Sequence, residues 1–258
     1  MQRLRTEAQL RRGIAHGELF LHYQPILDVE SRRWCAVEAL VRWRHPRRGV
    51  LAPDQFIPLA EETGLIVALG EAVLEQALAQ SRSWRGRLPD VRLAVNASVL
   101  ELCRADMAGR VLEAIERACV PPSVLVIEVT ETALMAELER VRATIAELRE
   151  RGVCVMIDDF GTGHSSLARL GELPVDGLKI DRRFALGLGR DRRAAPVVAA
   201  IAELARVHGL EVVVEGIEDA AALGAVGELG CEHAQGYHLA RPAEAEVIEA
   251  LLCEQVAA

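Results

Sequence analysis

The chain has 258 residues, 51% of them hydrophobic, and a formal net charge of −8. That length and apolar share suit one large domain or two small ones with an ample core, and exclude a disordered chain. The acidic balance argues against a binder of DNA or RNA duplexes, which presents a basic face, yet admits a small phosphorylated ligand held through local cations.

Leu4, Leu10 and Ile14 set a helical pattern over residues 1–17. Residues 19–26 read as a strand, and the polar turn 28–33 leads directly into a second at 34–43. So short a connection permits only an antiparallel pair. The basic run Arg42-Trp43-Arg44-His45-Pro46-Arg47-Arg48 reads mostly as a solvated loop. A short helix at 53–62 is broken by Gly64, and residues 65–84 continue as a longer amphipathic one. From there strands at 91–97, 124–130, 153–159, 177–181, 211–215 and 231–237 alternate with helices. The helices fall near 100–118, 133–151, 164–172, 192–208, 218–228 and 243–254, and Pro121-Pro122, Gly152, Gly209 and Gly230 mark their ends. Six βα units after a hairpin make eight strands, the count that closes a barrel with a filled interior. An open doubly wound sheet is the fallback, but it would need an early glycine fingerprint, which is missing. With no repeat or linker, residues 1–258 divide most naturally as one domain. Apolar runs far short of a membrane span, and no signal-peptide apolar region in Met1-Gln2-Arg3-Leu4-Arg5, lead to the expectation of a cytoplasmic chain without direct membrane insertion. Six cysteines without CxxC spacing favour reduced, packed thiols over disulfides or zinc.

The strands carry polar residues where core strands should be apolar: Glu38, Asn96, Glu128 (with Glu131 just beyond), Asp158 and Asp159, Lys179, Glu215 and Gln235. Period-two alternation sets Val126 with Glu128, Met156 with Asp158 and Val213 with Glu215 on common faces. If those faces line a barrel, the acids converge at its mouth. Glu131, three residues past Glu128, faces away from it, towards residues 160–165. Taken alone, Asp158 and Asp159 could equally begin a solvated turn or cap a helix. As a group, the acids need cations, because an unpaired buried carboxylate costs several kcal/mol or titrates to neutral. Lys179 is the internal cation apparent in these strands, and a divalent metal is the simplest further partner. The donors are all oxygen, which suits Mg²⁺ or Mn²⁺ better than zinc. His22, His208 and His233 read as ordinary core or surface residues. Gly161-Thr162-Gly163 reads as a flexible loop beside the site, and neither a GxSxG elbow nor a Walker lysine is present.

Glu38-Ala39-Leu40-Val41-Arg42-Trp43 resembles the signature of the EAL domains, the cyclic di-GMP phosphodiesterases of bacteria. Tyr23-Gln24-Pro25 precedes it. In order there follow Asn96-Ala97-Ser98, Glu128-Val129-Thr130-Glu131, Asp158-Asp159-Phe160-Gly161-Thr162-Gly163, Leu178-Lys179-Ile180-Asp181, Glu215-Gly216-Ile217-Glu218 and Gln235-Gly236-Tyr237. The resemblance covers nearly the whole chain. It implies one EAL-type domain folded as an α/β, TIM-like (β/α)8 barrel with one antiparallel strand. It also implies hydrolysis of cyclic di-GMP to linear pGpG with two Mg²⁺ or Mn²⁺ ions. By motif, Glu38, Asn96, Glu128 and Asp158 would hold one metal, and Asp158, Asp159 and Glu215 the second. Lys179 would hold the nucleophilic water, with Glu215 a candidate for accepting its proton. Gln24 and Arg42 would contact the ligand, with Gln235 in the same site. Glu131 would tether the glycine-rich loop, and Glu218 would support the site from behind Glu215. Ca²⁺ is expected to bind without supporting turnover, because its looser shell positions water poorly. The family further implies a homodimer, and sensory or GGDEF domains where the native chain is longer. Some EAL domains only bind the dinucleotide as receptors, but the acidic set here is intact. The departures, His164 and Pro242-Ala243-Glu244, remove no ligand.

Overall fold

The computed structural model describes residues 2–162, 174–191 and 194–254. Helix α1 (Gln2–Ala15) leads into a hairpin of β1 (Leu19–Asp28) and β2 (Trp34–His45), followed by a short β3 (Gly49–Leu51). Helices α2 (Ile57–Thr63) and α3 (Ile66–Trp84) precede β4 (Arg92–Asn96), and α4 (Val99–Leu102) and α5 (Met107–Ala118) precede β5 (Leu125–Thr130). Next come α6 (Glu131–Ala136), α7 (Leu138–Glu150), β6 (Cys154–Phe160), β7 (Gly177–Ile180), α8 (Arg182–Ala185) and α9 (Ala194–Val207). The chain continues through β8 (Glu211–Val214), α10 (Ala220–Glu228), β9 (His233–Ala234) and α11 (Ala245–Glu254). The helix expected at 164–172, and His164 with it, lie outside the described residues.

Strands β2, β4, β5, β6, β7, β8 and β9 run parallel in that spatial order, and β1 closes the ring antiparallel to both β9 and β2. The result is a closed eight-stranded α/β barrel of the TIM-like class with one reversed strand. Strand β3 adds antiparallel to the far end of β2, against Trp43, Arg44 and His45. The basic run is therefore strand as far as His45, not mainly loop. Trp43 and His45 are both buried, and the His45 Nδ1 accepts the backbone N–H of Arg47 and Arg48. The last strand is shorter than expected, because Gln235 leaves β9 to hydrogen-bond across to Val214 and Ile217. Ala243, in the variant proline segment, bridges to Tyr23 through paired backbone hydrogen bonds of 2.8 and 3.1 Å.

Two apolar cores result. The larger lies between the helices and the outer face of the barrel. The smaller plugs the barrel with Ile26, Ala36, Ala94, Val126, Met156 and Val213. Each plug residue stands two positions from a polar one on the same inner face: Gln24, Glu38, Asn96, Glu128, Asp158 and Glu215 respectively. The alternation of strand side chains thus stacks a polar layer directly on an apolar floor.

Candidate active site

The polar layer sits at the carboxyl ends of the parallel strands. At its centre Lys179, fully buried on β7, points its Nζ at four carboxylates, from β2, β5 and β6 and from just past the end of β8. The distances are 3.1 Å to Glu38, 3.1 Å to Glu128, 2.7 Å to Glu215 and 3.6 Å to Asp158. Glu38 is held on both sides: Asn96 Nδ2 donates to it at 2.7 Å and Gln235 Nε2 at 2.9 Å. Gln235 also donates to Gln24 at 3.3 Å, and Gln24 Nε2 is anchored on the Ala240 carbonyl at 3.1 Å. Gln24 and Glu38 are register partners in the β1–β2 hairpin. Arg42, farther along β2 on the same face as Glu38, is half-buried and donates to the Val41 carbonyl at 2.9 Å.

Simple alternation would send Asp158 and Asp159 to opposite faces. The β6–β7 register slips between Ile157 and Phe160, and Asp159 adopts a left-handed φ of 53°. Such a bulge re-aims a side chain. Asp158, Asp159 and Glu215 consequently offer oxygens that all lie within 4.8 Å of one another. Asp159 also shares a side-chain hydrogen bond with Asp181, which is itself held by the backbone N–H and the guanidinium of Arg183. Glu131 opens α6 with its side chain buried, and its Oε2 accepts the Gly161 N–H at 2.8 Å. The rest of the segment it was expected to hold, from residue 163 on, lies outside the described residues. Glu218 is exposed on the rim of a small cavity that Glu215 also lines.

One ammonium among so many carboxylates leaves an electrostatic excess. Burial, aided by Glu38, Asp158 and Glu215, pushes Glu128 well above the usual carboxylate range. Burial and the same neighbours lift Glu215 to about 7 despite Lys179, and burial with Asp158 lifts Asp159 to about 6. Burial would also raise Glu38, but Lys179 and the hydrogen bonds from Gln235 and Asn96 outweigh it and hold that carboxyl down. Burial acts to lower the Lys179 pKa, and the surrounding acids, Asp158 first, reverse this and raise it well above an ordinary lysine.

The donor set fits a divalent cation. Glu128 Oε1 and Gln235 Oε1 are buried without a hydrogen-bond partner. Oxygens spread over 4.8 Å match the span across a cation with metal–oxygen distances of about 2.0–2.6 Å. Two cavities border the carboxylates on opposite sides of the barrel. One, of about 450 Å³, runs from Glu38, Asn96 and Asp158 to Leu40 and Ile57. The other, of about 170 Å³, lies between Gln24, Glu215, Gln235 and Tyr237. Asp181 and the cavity-lining Tyr237 were quoted in motifs but given no role. Their signal was adjacency to Lys179 and Gln235, which did not reveal their facing.

Comparison with known proteins gives the family. The chain is 42% identical over 246 residues to the bifunctional diguanylate cyclase/cyclic di-GMP phosphodiesterase MucR of Pseudomonas aeruginosa, covering 95% of this chain and 36% of that protein. It is 41% identical over 252 residues to the cyclic di-GMP phosphodiesterase NbdA of the same organism, covering 97% and 32%. The chain thus spans about a third of these relatives. Among solved structures, the PaMucR phosphodiesterase in complex with c-di-GMP superposes with a TM-score of 0.89 at 42% identity, over 96% of this chain and all of that one. The EAL domain profile matches residues 7–242, and the chain belongs to the EAL domain family.

Proposed function

We propose that this chain hydrolyses cyclic di-GMP to linear pGpG at the barrel mouth, using Mg²⁺ or Mn²⁺. The observation that carries the reading is the ring of polar side chains, drawn from or just beyond the seven other barrel strands, around one buried lysine on β7. Its support from relatives is that MucR and NbdA are named as cyclic di-GMP phosphodiesterases.

In this reading Glu38, Asn96, Glu128 and Asp158 hold one cation, and Asp158, Asp159 and Glu215 hold a second, with Asp158 shared. Divalent cations, when bound, would neutralise phosphate charge and lower the pKa of water, easing loss of the proton that makes it a nucleophile. Lys179 would orient the attacking water with its ammonium and Glu215 would accept its proton, as one P–O3′ bond breaks and the 3′ oxygen leaves to be protonated to the hydroxyl of pGpG. Arg42 supplies positive charge to a phosphate, while Gln24 and Gln235 fix the ligand's polar edge. The cavities on either side of the carboxylates suit an extended, two-fold dinucleotide laid across the mouth with one base towards each. Glu131 holds Gly161, and through it Asp159, in place, and Glu218 backs Glu215 from the rim. Residues 1–258 form one EAL-type domain, acting in the cytoplasm as a homodimer, with sensory or GGDEF domains where the native chain is longer.

The test is to incubate the purified protein with cyclic di-GMP and separate the products. Turnover to pGpG in Mg²⁺ or Mn²⁺, and none in Ca²⁺ or chelator, is the expected result. Tight binding in ample Mg²⁺ without product would make the chain a receptor instead.

A further inference from the structure

Strand β4 ends at Asn96, and the chain leaves the barrel mouth through Ala97 and Ser98 into the four-residue α4. The Ala97 N–H is fixed on the Glu128 carbonyl at 2.8 Å. Beyond that point the turn depends on Glu101. Its Oε2 accepts the Ser98 N–H at 2.9 Å, and the Ser98 hydroxyl accepts the Leu100 N–H while donating to Glu61 at 2.8 Å. This is a reciprocal capping box. Capping glutamates ordinarily sit in water, but Glu101 is only 5% exposed. Burying a carboxyl is costly unless it is hydrogen-bonded or paired, and the Ser98 N–H supplies such a bond here. The other oxygen, Oε1, lies against the backbone of α3 at Gly70, where a Cβ would come within 1.9 Å of it. Glycine at this position is what lets the carboxyl dock on α3. On either side of this contact lies open volume: the cavity beside Glu38 and a second of about 650 Å³ both have Gly70, Asn96, Ala97 and Glu101 in their walls. Ala97 and Val99 are only partly buried against the core, and Glu101 supplies a contact from the turn to α3.

We propose that Glu101 is a positioning residue for Asn96, docking the Asn96-Ala97-Ser98 turn on α3 so that the Asn96 side chain is presented to the cation at the barrel mouth. This rests on Asn96 being a metal ligand. Burial beside Glu71 and Glu61 lifts the Glu101 carboxyl to about 7, so a neutral amide is a close substitute for it.

The experiment is a calorimetric Mn²⁺ titration of the metal-free full chain, with thermal melting run alongside. Glu101→Ala should raise the Mn²⁺ midpoint about tenfold or more, the range seen when a ligand loses its outer support. Gly70→Ala, which evicts the same carboxyl without removing it, should do likewise, and Glu101→Gln should keep the wild-type midpoint. In the Glu101→Ala background, Gly70→Ala should add nothing, because its methyl then has room. A wild-type midpoint in Glu101→Ala, beside a raised one in Asn96→Ala, overturns the inference and leaves the metal reading standing. A wild-type midpoint in Asn96→Ala overturns both. If Glu101→Ala does not fold, Gly70→Ala decides by the same criterion.

Discussion

Lys179 sets one positive charge against Glu38, Glu128, Asp158 and Glu215, so each carboxylate there is held partly by its neighbours' cost of ionisation. Removing one acid relieves that repulsion while deleting a donor. Glu38 is an exception, because Lys179, Asn96 and Gln235 favour its charge: Glu38→Ala should abolish turnover, raise the Mg²⁺ midpoint and lower the melting temperature of the metal-free protein. Near-normal activity at limiting Mg²⁺ would remove Glu38 from the ligand set. Glu131 acts at one remove, through the Gly161 N–H. Glu131→Ala should lower turnover strongly, weaken the Mg²⁺ midpoint and speed amide exchange at residues 159–162. Lost activity with unchanged exchange and midpoint would show a different role. Glu38, Glu128 and Lys179 were legible in sequence because a charge inside a short apolar run breaks the pattern of a core strand. The joint facing of Asp158 and Asp159 was not legible geometrically, since it comes from a bulge and a left-handed backbone that no residue type there demands.

At the scale of elements, the hairpin and the six βα units were readable because turn residues and period-two runs are local signals. Strand β3 was missed: three residues beside a basic turn carry no alternation, and their strand character comes wholly from pairing with β2. The inner apolar plug was readable only in part, because alternation names a face without saying what fills it. Met156, 3% exposed, spans the floor of the barrel, and a Cβ at Gly177 would come within 2.7 Å of its Cε. Met156→Ala should cost about 2–5 kcal/mol of stability by opening a cavity beneath the polar layer. Urea denaturation in saturating Mg²⁺ measures this, and a loss below about 1 kcal/mol would mean the floor collapses to fill the gap.

For the molecule as a whole, the protons on its buried groups make stability depend on pH. Glu215 and Glu101, raised to about 7, and Asp159, raised to about 6, stay protonated in the folded chain above the pH at which the unfolded chain releases them. Burial works against a charged His233, but hydrogen bonds with Cys35 and Glu211 hold its proton up to about 9. For each group the folded pKa exceeds the unfolded one, so its contribution is complete below the unfolded value and is lost as pH rises through the folded value. Glu211, held to about 2 first by its hydrogen bond to His233, works in the opposite sense, but below about pH 4.5, outside this window. The metal-free protein should therefore melt at progressively lower temperature from about pH 5 to pH 8. Saturating Mg²⁺ should flatten that fall, because a cation replaces the protons on Glu215 and Asp159. A metal-free melting temperature that rises over this range would contradict the assignment of these groups.

The reversal of β1 has a mechanical consequence. In a barrel whose strands all run one way, the first strand starts at the closed end. Here β1 starts at Leu19, opposite Trp43, at the rim that carries the polar layer. Helix α1 is clasped there by one fully buried indole: Trp43 Nε1 donates to Glu18 at 2.9 Å, and a Cβ at Gly13 would lie 2.7 Å from the same nitrogen. Helix α1 is thus a lever fixed to the rim. A twist applied to it would load the Leu19–Trp43 rung, five residues along β2 from Glu38, as well as α2 and α3, on which α1 also packs.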